Sequence, residues 1–127
     1  MPLVRISLLE GTPESYIKKI GEAVHRAMVE TINVPEHDRF QIMTEHEKSH
    51  FVYDPNYLNI ERSDQLVIIQ ITLNQGRTVE MKKALYKRIA ELLNQEINLR
   101  KEDVLINLVE VPKENWSFGK GEAQYAT

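Results

Sequence analysis

Apolar and polar residues alternate from Leu3 to Leu8, with Val4, Ile6 and Leu8 on one side and Arg5 and Ser7 on the other. A period of two predicts a half-buried strand. The same rhythm returns from Ile68 to Leu73, where Gln70 and Thr72 take the polar positions. Between these stretches the period changes. Ile17, Ile20, Val24, Ala27 and Met28 recur at helical spacing, behind Thr12 as an expected N-cap and Pro13 at the first helical position, where its missing N–H is harmless. Met81, Leu85, Ile89, Leu92 and Leu93 form a second stripe behind the cap candidate Thr78. The first helix is expected to end near Asn33, before Pro35, and the second between Asn94 and Asn98. Phe40 to Thr44 and Val104 to Val111 read as further strands.

Sliding the chain on itself by 65 positions needs no gap: Val4, Ile6 and Leu8 fall on Ile69, Ile71 and Leu73, Gly11 on Gly76, and Ile32-Asn33-Val34 through Asp38 on Ile97-Asn98-Leu99 through Asp103. The match is weaker over the second strands. Each unit is β-α-β, and a helical crossover makes its two strands parallel with a right-handed connection. The expected fold is therefore α+β in two layers, a four-stranded mixed sheet with both helices on one face. A single domain over 1–127 would hold units 2–44 and 66–111, a linker 45–65 and a C-terminal aromatic segment 112–127. The linker carries the turn signal Asp54-Pro55-Asn56 and reads as a long loop or short hairpin. The uncovered sheet face mixes Leu3 and Ile68 with Arg5, Ser7, Gln70 and Thr72. Such a face, with open sheet edges, predicts self-association.

Composition narrows the function classes. At 127 residues with 42% hydrophobic, the chain fills one core and not two. There is no apolar run of about 18 residues, and the start MPLVRISLLEGTPE has no leader pattern, so a soluble cytoplasmic protein with no membrane partner is expected. Zero cysteines remove disulfides, thiolate metal sites and thiol nucleophiles. Sixteen Lys+Arg against nineteen Asp+Glu give a net charge of -3 without a basic block, which argues against a nucleic-acid partner.

Pro2 is the first candidate for chemistry. A small second residue favours removal of Met1, and a free N-terminal proline is a secondary amine able to act as base, acid or nucleophile. It titrates somewhat above the roughly 7.7 to 8.0 of ordinary α-amino groups, and burial lowers that value. Taken alone, Pro2 reads as a proline tolerated at a strand start. The string EHEKSH, with Glu45, His46, Glu47 and His50, has no metal-site spacing and reads as a solvated loop. His25 lies among charged residues on the first helix. Neither a metal nor a cofactor is expected.

The opening MPLVRISLLEG and the doubled β-α-β unit resemble the tautomerase superfamily, with its 4-oxalocrotonate tautomerase/MIF-like fold and catalytic N-terminal proline. VPEHDRFQIM at 34–43 and NWSFGKGEAQY at 115–125 narrow the resemblance to the malonate semialdehyde decarboxylase-like group. The resemblance implies a catalytic Pro2, with Asp38 beside it positioning substrate or water, and pocket walls from Trp116, Phe118 and Tyr125. Arg77 would hold a substrate carboxylate together with the following helix N-terminus. The decarboxylase pattern has two arginines one residue apart in this loop, and here Gln75 replaces the first. The resemblance further implies a homotrimer acting on a small 2-oxo or 3-oxo carboxylic acid by enol–keto tautomerisation. Decarboxylase or hydratase activity and a non-catalytic binding role remain as alternatives.

Overall fold

The computed structural model describes residues 2–126, so the expected removal of Met1 lies outside the described residues. In chain order the elements are β1 (Leu3–Leu9), α1 (Glu14–Ile32), β2 (Phe40–His46), β3 (Val67–Asn74), α2 (Val79–Ile97) and β4 (Val104–Val111). The sheet order is β2-β1-β3-β4. The outer pairs β1–β2 and β3–β4 are parallel and the central pair β1–β3 is antiparallel, as two β-α-β units require.

The repeat extends to the second strands. Leu3 pairs with Phe40 in the first unit, and Ile68 pairs with Leu105 in the second, each residue 65 positions after its counterpart. Alternation hides this because β2 and β4 are edge strands whose inward positions include Gln41, Glu45 and Glu110. Asn33 and Asn98 both end their helices in the left-handed region, at φ 59° and 56°, a conformation asparagine adopts readily. Gly11 and Gly76 turn the chain from strand to helix at φ +94° and +122°, where a Cβ is strained.

One expectation is corrected. Pro13, not Thr12, caps α1: its carbonyl accepts from the N–H groups of Tyr16 and Ile17, while the Thr12 hydroxyl donates to the Leu9 carbonyl at 3.1 Å. Of the two readings of the linker the long loop holds, with two short 3-10 turns, Lys48–His50 and Tyr57–Asn59. It is tied to the body by buried Phe51, stacked on His46, by Ser63, whose N–H and hydroxyl donate to Asp103, and by Arg100, which donates to the Glu61 carbonyl, while within the linker Asp64 accepts from Tyr53 Oη at 2.7 Å and Lys48 Nζ at 3.2 Å.

Val4, Ile6, Leu8, Ile69, Ile71 and Leu73 face the helices, which close on them with Ile20, Val24, Met28, Leu85, Ile89 and Leu92. Glu30 of α1 pairs with Arg88 of α2 across the helical layer. The opposite face is uncovered in one chain. Phe40, Ile42, Leu105 and Val109 are 53%, 43%, 37% and 38% exposed there, and covering what remains exposed stabilises by about 0.5–1.5 kcal/mol each. Among the described residues, no helix is long and apolar enough to cross a membrane.

Candidate active site

The topology assembles one end of the sheet from four distant segments. β1 and the parallel β2 begin at that end, whereas antiparallel β3 and its parallel neighbour β4 finish there. Pro2, Asp38, the turn Asn74-Gln75-Gly76-Arg77 and the segment after β4 are thereby brought to one edge. Leu3 pairs with both Phe40 and Thr72, so extending the register by one step puts Pro2 between Leu73 of β3 and Arg39, the residue just before β2. Pro2 is buried and Asp38 half-buried, the Asp38 N–H closing a turn onto the Pro35 carbonyl at 3.0 Å.

Arg77 is half-buried and anchored. Its Nη1 donates to the Asn74 carbonyl at 3.1 Å and its Nη2 to the Ile32 carbonyl at 3.2 Å. Ile32 closes α1, where helix carbonyls lack internal partners and a cation is favoured. These bonds leave three of the five guanidinium N–H groups for a carboxylate. Gln75 is exposed, and its main-chain N–H donates to the Val111 carbonyl at 3.0 Å. Glu110 stands nearby. Its carboxyl is held below the usual range, first by Lys82 at 2.6 Å and further by the Gly76 N–H and the Arg77 charge.

The aromatic side chains gather as a unit. Trp116 stacks on Phe118 with centroids 5.5 Å apart, and Phe118 meets Tyr125 edge-on at 4.7 Å. Gln124 folds the loop beneath them, accepting from the Phe118 N–H and donating to the Gly119 carbonyl. Trp116 Nε1 donates to Asn74 Oδ1 at 2.7 Å, which joins the aromatic wall to the Arg77 turn. Asn74 is not evident as a site residue from the chain alone. Its one signal is a polar residue where the first unit has Leu9.

His25 lies on α1. It is buried, and its Nε2 donates to the Glu36 carbonyl at 2.8 Å, pinning the turn that leads to Asp38. The EHEKSH residues disperse: the Glu45 carboxylate accepts from the Gly11 N–H, His46 stacks on Phe51, and His50 stands 3.7 Å from Glu47.

A cavity of about 250 Å³ lies at the opposite end, lined in part by Leu8, Thr12, Tyr16, Ile20, Leu66 and Val67. Val67 and Thr12 are the repeat counterparts of Pro2 and Arg77. The cavity therefore has an in-chain amide in place of the proline nitrogen and a hydroxyl in place of the guanidinium. Asp103, the counterpart of Asp38, is fully buried and structural, accepting the Ser63 N–H and hydroxyl at 2.7 Å each.

Tautomerase family models, described as tautomerase enzyme, match residues 38–119 and 2–61. The chain belongs to the tautomerase family. It is 50% identical to the probable tautomerase YusQ of Bacillus subtilis (strain 168) over 98% of each chain. This tautomerase superposes on FG41 malonate semialdehyde decarboxylase inhibited by 3-bromopropiolate with a TM-score of 0.90 and 38% identity, covering 97% of this chain and 93% of that one. A fused 4-OT described as a symmetric trimer shares the fold, with a TM-score of 0.79 and 21% identity over 98% of each chain.

Proposed function

We propose that this tautomerase uses the secondary amine of Pro2 as acid and base on a small 2-oxo or 3-oxo carboxylic acid. The supporting observation is the convergence of Pro2, Asp38, Arg77 and the Trp116 wall at one end of the sheet, whereas the repeat-related end lacks the amine and the guanidinium. Neutral Pro2 takes the enol hydroxyl proton and returns it to the adjacent carbon, so the net change is isomerisation. Arg77 holds the carboxylate with its remaining donors, which keeps the reacting carbon beside the nitrogen. Asp38 favours the cationic proline and apolar walls oppose it, so their balance sets the pH at which the base is available. The test is turnover of the enol of phenylpyruvate, followed by loss of enol absorbance, in the wild type and Pro2→Ala.

The likeness to a malonate semialdehyde decarboxylase supports a second reading, in which cationic Pro2 polarises a 3-oxo group as carbon dioxide leaves. Gln75 discriminates between them, because a neutral amide hydrogen-bonds a carboxylate without balancing its charge.

A homotrimer is the proposed assembly. The exposed apolar positions on the uncovered face support burial against other copies, and the trimeric fused 4-OT supports the number. A single-chain mass in sedimentation at micromolar concentration would refute it.

A further inference from the structure

Asn74 presents two carbonyl oxygens at the end of β3, and each accepts a hydrogen bond from a different part of the site. The main-chain oxygen accepts from Arg77 Nη1 at 3.1 Å, and Oδ1 accepts from Trp116 Nε1 at 2.7 Å. The internal repeat separates their meaning. In the first unit Leu9 stands where Asn74 stands and Thr12 where Arg77 stands, and Thr12 Oγ1 donates to the Leu9 carbonyl at 3.1 Å. The main-chain bond is thus common to both turns and belongs to the fold. The side-chain bond is not, because leucine offers no acceptor.

Asparagine is a poor strand residue, and Leu9 shows that the fold accepts an apolar side chain here. What Asn74 adds is the acceptor that orients the indole. Trp116 is half-buried and stacked face-on by Phe118, so without this acceptor its in-plane N–H has only water to hold it and no fixed direction. Commitment of Oδ1 to the indole also fixes which way the Asn74 amide points.

We propose that Asn74 is a positioning residue. Its side chain locks the Trp116 wall and its main chain locks Arg77, so the gap between ring and guanidinium is held at a width that selects small, flat carboxylates. The inference rests on the reading of Pro2 and Arg77 given above. Loss of the side-chain bond frees the wall without touching the amine, so the effect falls on KM and not on kcat.

Trp116 is the only tryptophan of the chain, so its fluorescence reports this bond directly. Two full-length variants separate acceptor from volume: Asn74→Leu removes the acceptor and installs the residue used at position 9, whereas Asn74→Asp retains an acceptor oxygen. Asn74→Leu should shift the Trp116 emission maximum, and Asn74→Asp should leave it close to the wild type. With the enol of phenylpyruvate as probe, Asn74→Leu should raise KM about five- to tenfold while kcat changes less than about twofold. An unshifted emission in Asn74→Leu, an equal shift in both variants, or an unchanged KM in Asn74→Leu overturns the proposal. Should the wild type leave the enol unconverted, the reading of the reaction fails, and the emission of the two variants still decides the role of Asn74.

Discussion

Asp38 and Asp103 occupy the same place in the two β-α-β units and have different surroundings. Asp103 is fully buried and accepts two hydrogen bonds from Ser63, with Arg100 Nη1 at 3.7 Å. Asp38 is half-buried at the other end of the sheet, beside the strand that starts after Pro2. One aspartate holds the linker to the body, and the other lies at the end of the sheet where the chemistry is proposed.

Asp103→Ala should lower stability by about 2–3 kcal/mol, because two Ser63 donors lose their acceptor, while kcat/KM of the folded protein stays within about twofold. Asp38→Asn should reverse the pattern. It should cost little in Tm and reduce kcat/KM about ten- to hundredfold, the range of a lost charge-assisted hydrogen bond. Thermal unfolding and enol turnover on the same preparations check both.

Arg77→Ala should act on binding and stability together. The two carbonyls it serves, Asn74 and Ile32, lose about 1 kcal/mol each, so Tm falls as KM rises. Arg77→Lys keeps the charge without the planar fork and should recover part of the binding. A variant with unchanged KM would remove the carboxylate site.

Gln75→Arg should raise decarboxylation of malonate semialdehyde more than tautomerisation, by about fivefold, since a charged hydrogen bond is worth about 1.5–3 kcal/mol against about 1 for a neutral one. Rates of both reactions for wild type and variant are the check. Efficient decarboxylation by the wild type would contradict the role given to Gln75.

Acid should weaken the protein through identified pairs. Lys82 lowers the Glu110 pKa, and Arg88 foremost, with Arg26, lowers that of Glu30. A depressed carboxyl adds stability that is present above its unfolded-state pKa and is lost as pH falls through the folded value. Tm should therefore hold from pH 7 to about 5 and drop below about pH 4. Glu110→Gln should show a smaller drop than the wild type. An equal drop in both would exclude the Glu110 pair as a contributor.

Much of the fold is legible along the chain because each central strand buries one face. The alternation of Val4, Ile6 and Leu8 against Arg5 and Ser7 reports that burial directly, and Asn33 and Asn98 mark helix ends through a conformation few other residues adopt. The edge strands are less clear, since Gln41 and Glu110 point inward and make hydrogen bonds there. The Asn74–Trp116 bond spans 42 residues, and no local pattern at a strand end announces a partner beyond the next helix and strand. His25 is obscured in a similar way. Its burial comes from the turn at Glu36 closing over it, whereas its neighbours Arg26 and Glu22 on α1 are exposed.

The most direct test is the kcat/KM of Pro2→Ala for enol–keto conversion, measured on chains shown by intact mass to begin at residue 2. A primary amine of different basicity and geometry then replaces the proline nitrogen, while Arg77, Asp38 and Trp116 stay in place. A fall of about 100-fold or more, the scale of a lost general acid–base group, is the predicted result. A value within about twofold of the wild type, or a wild-type chain that retains Met1 and is fully active, would contradict catalysis by the Pro2 amine.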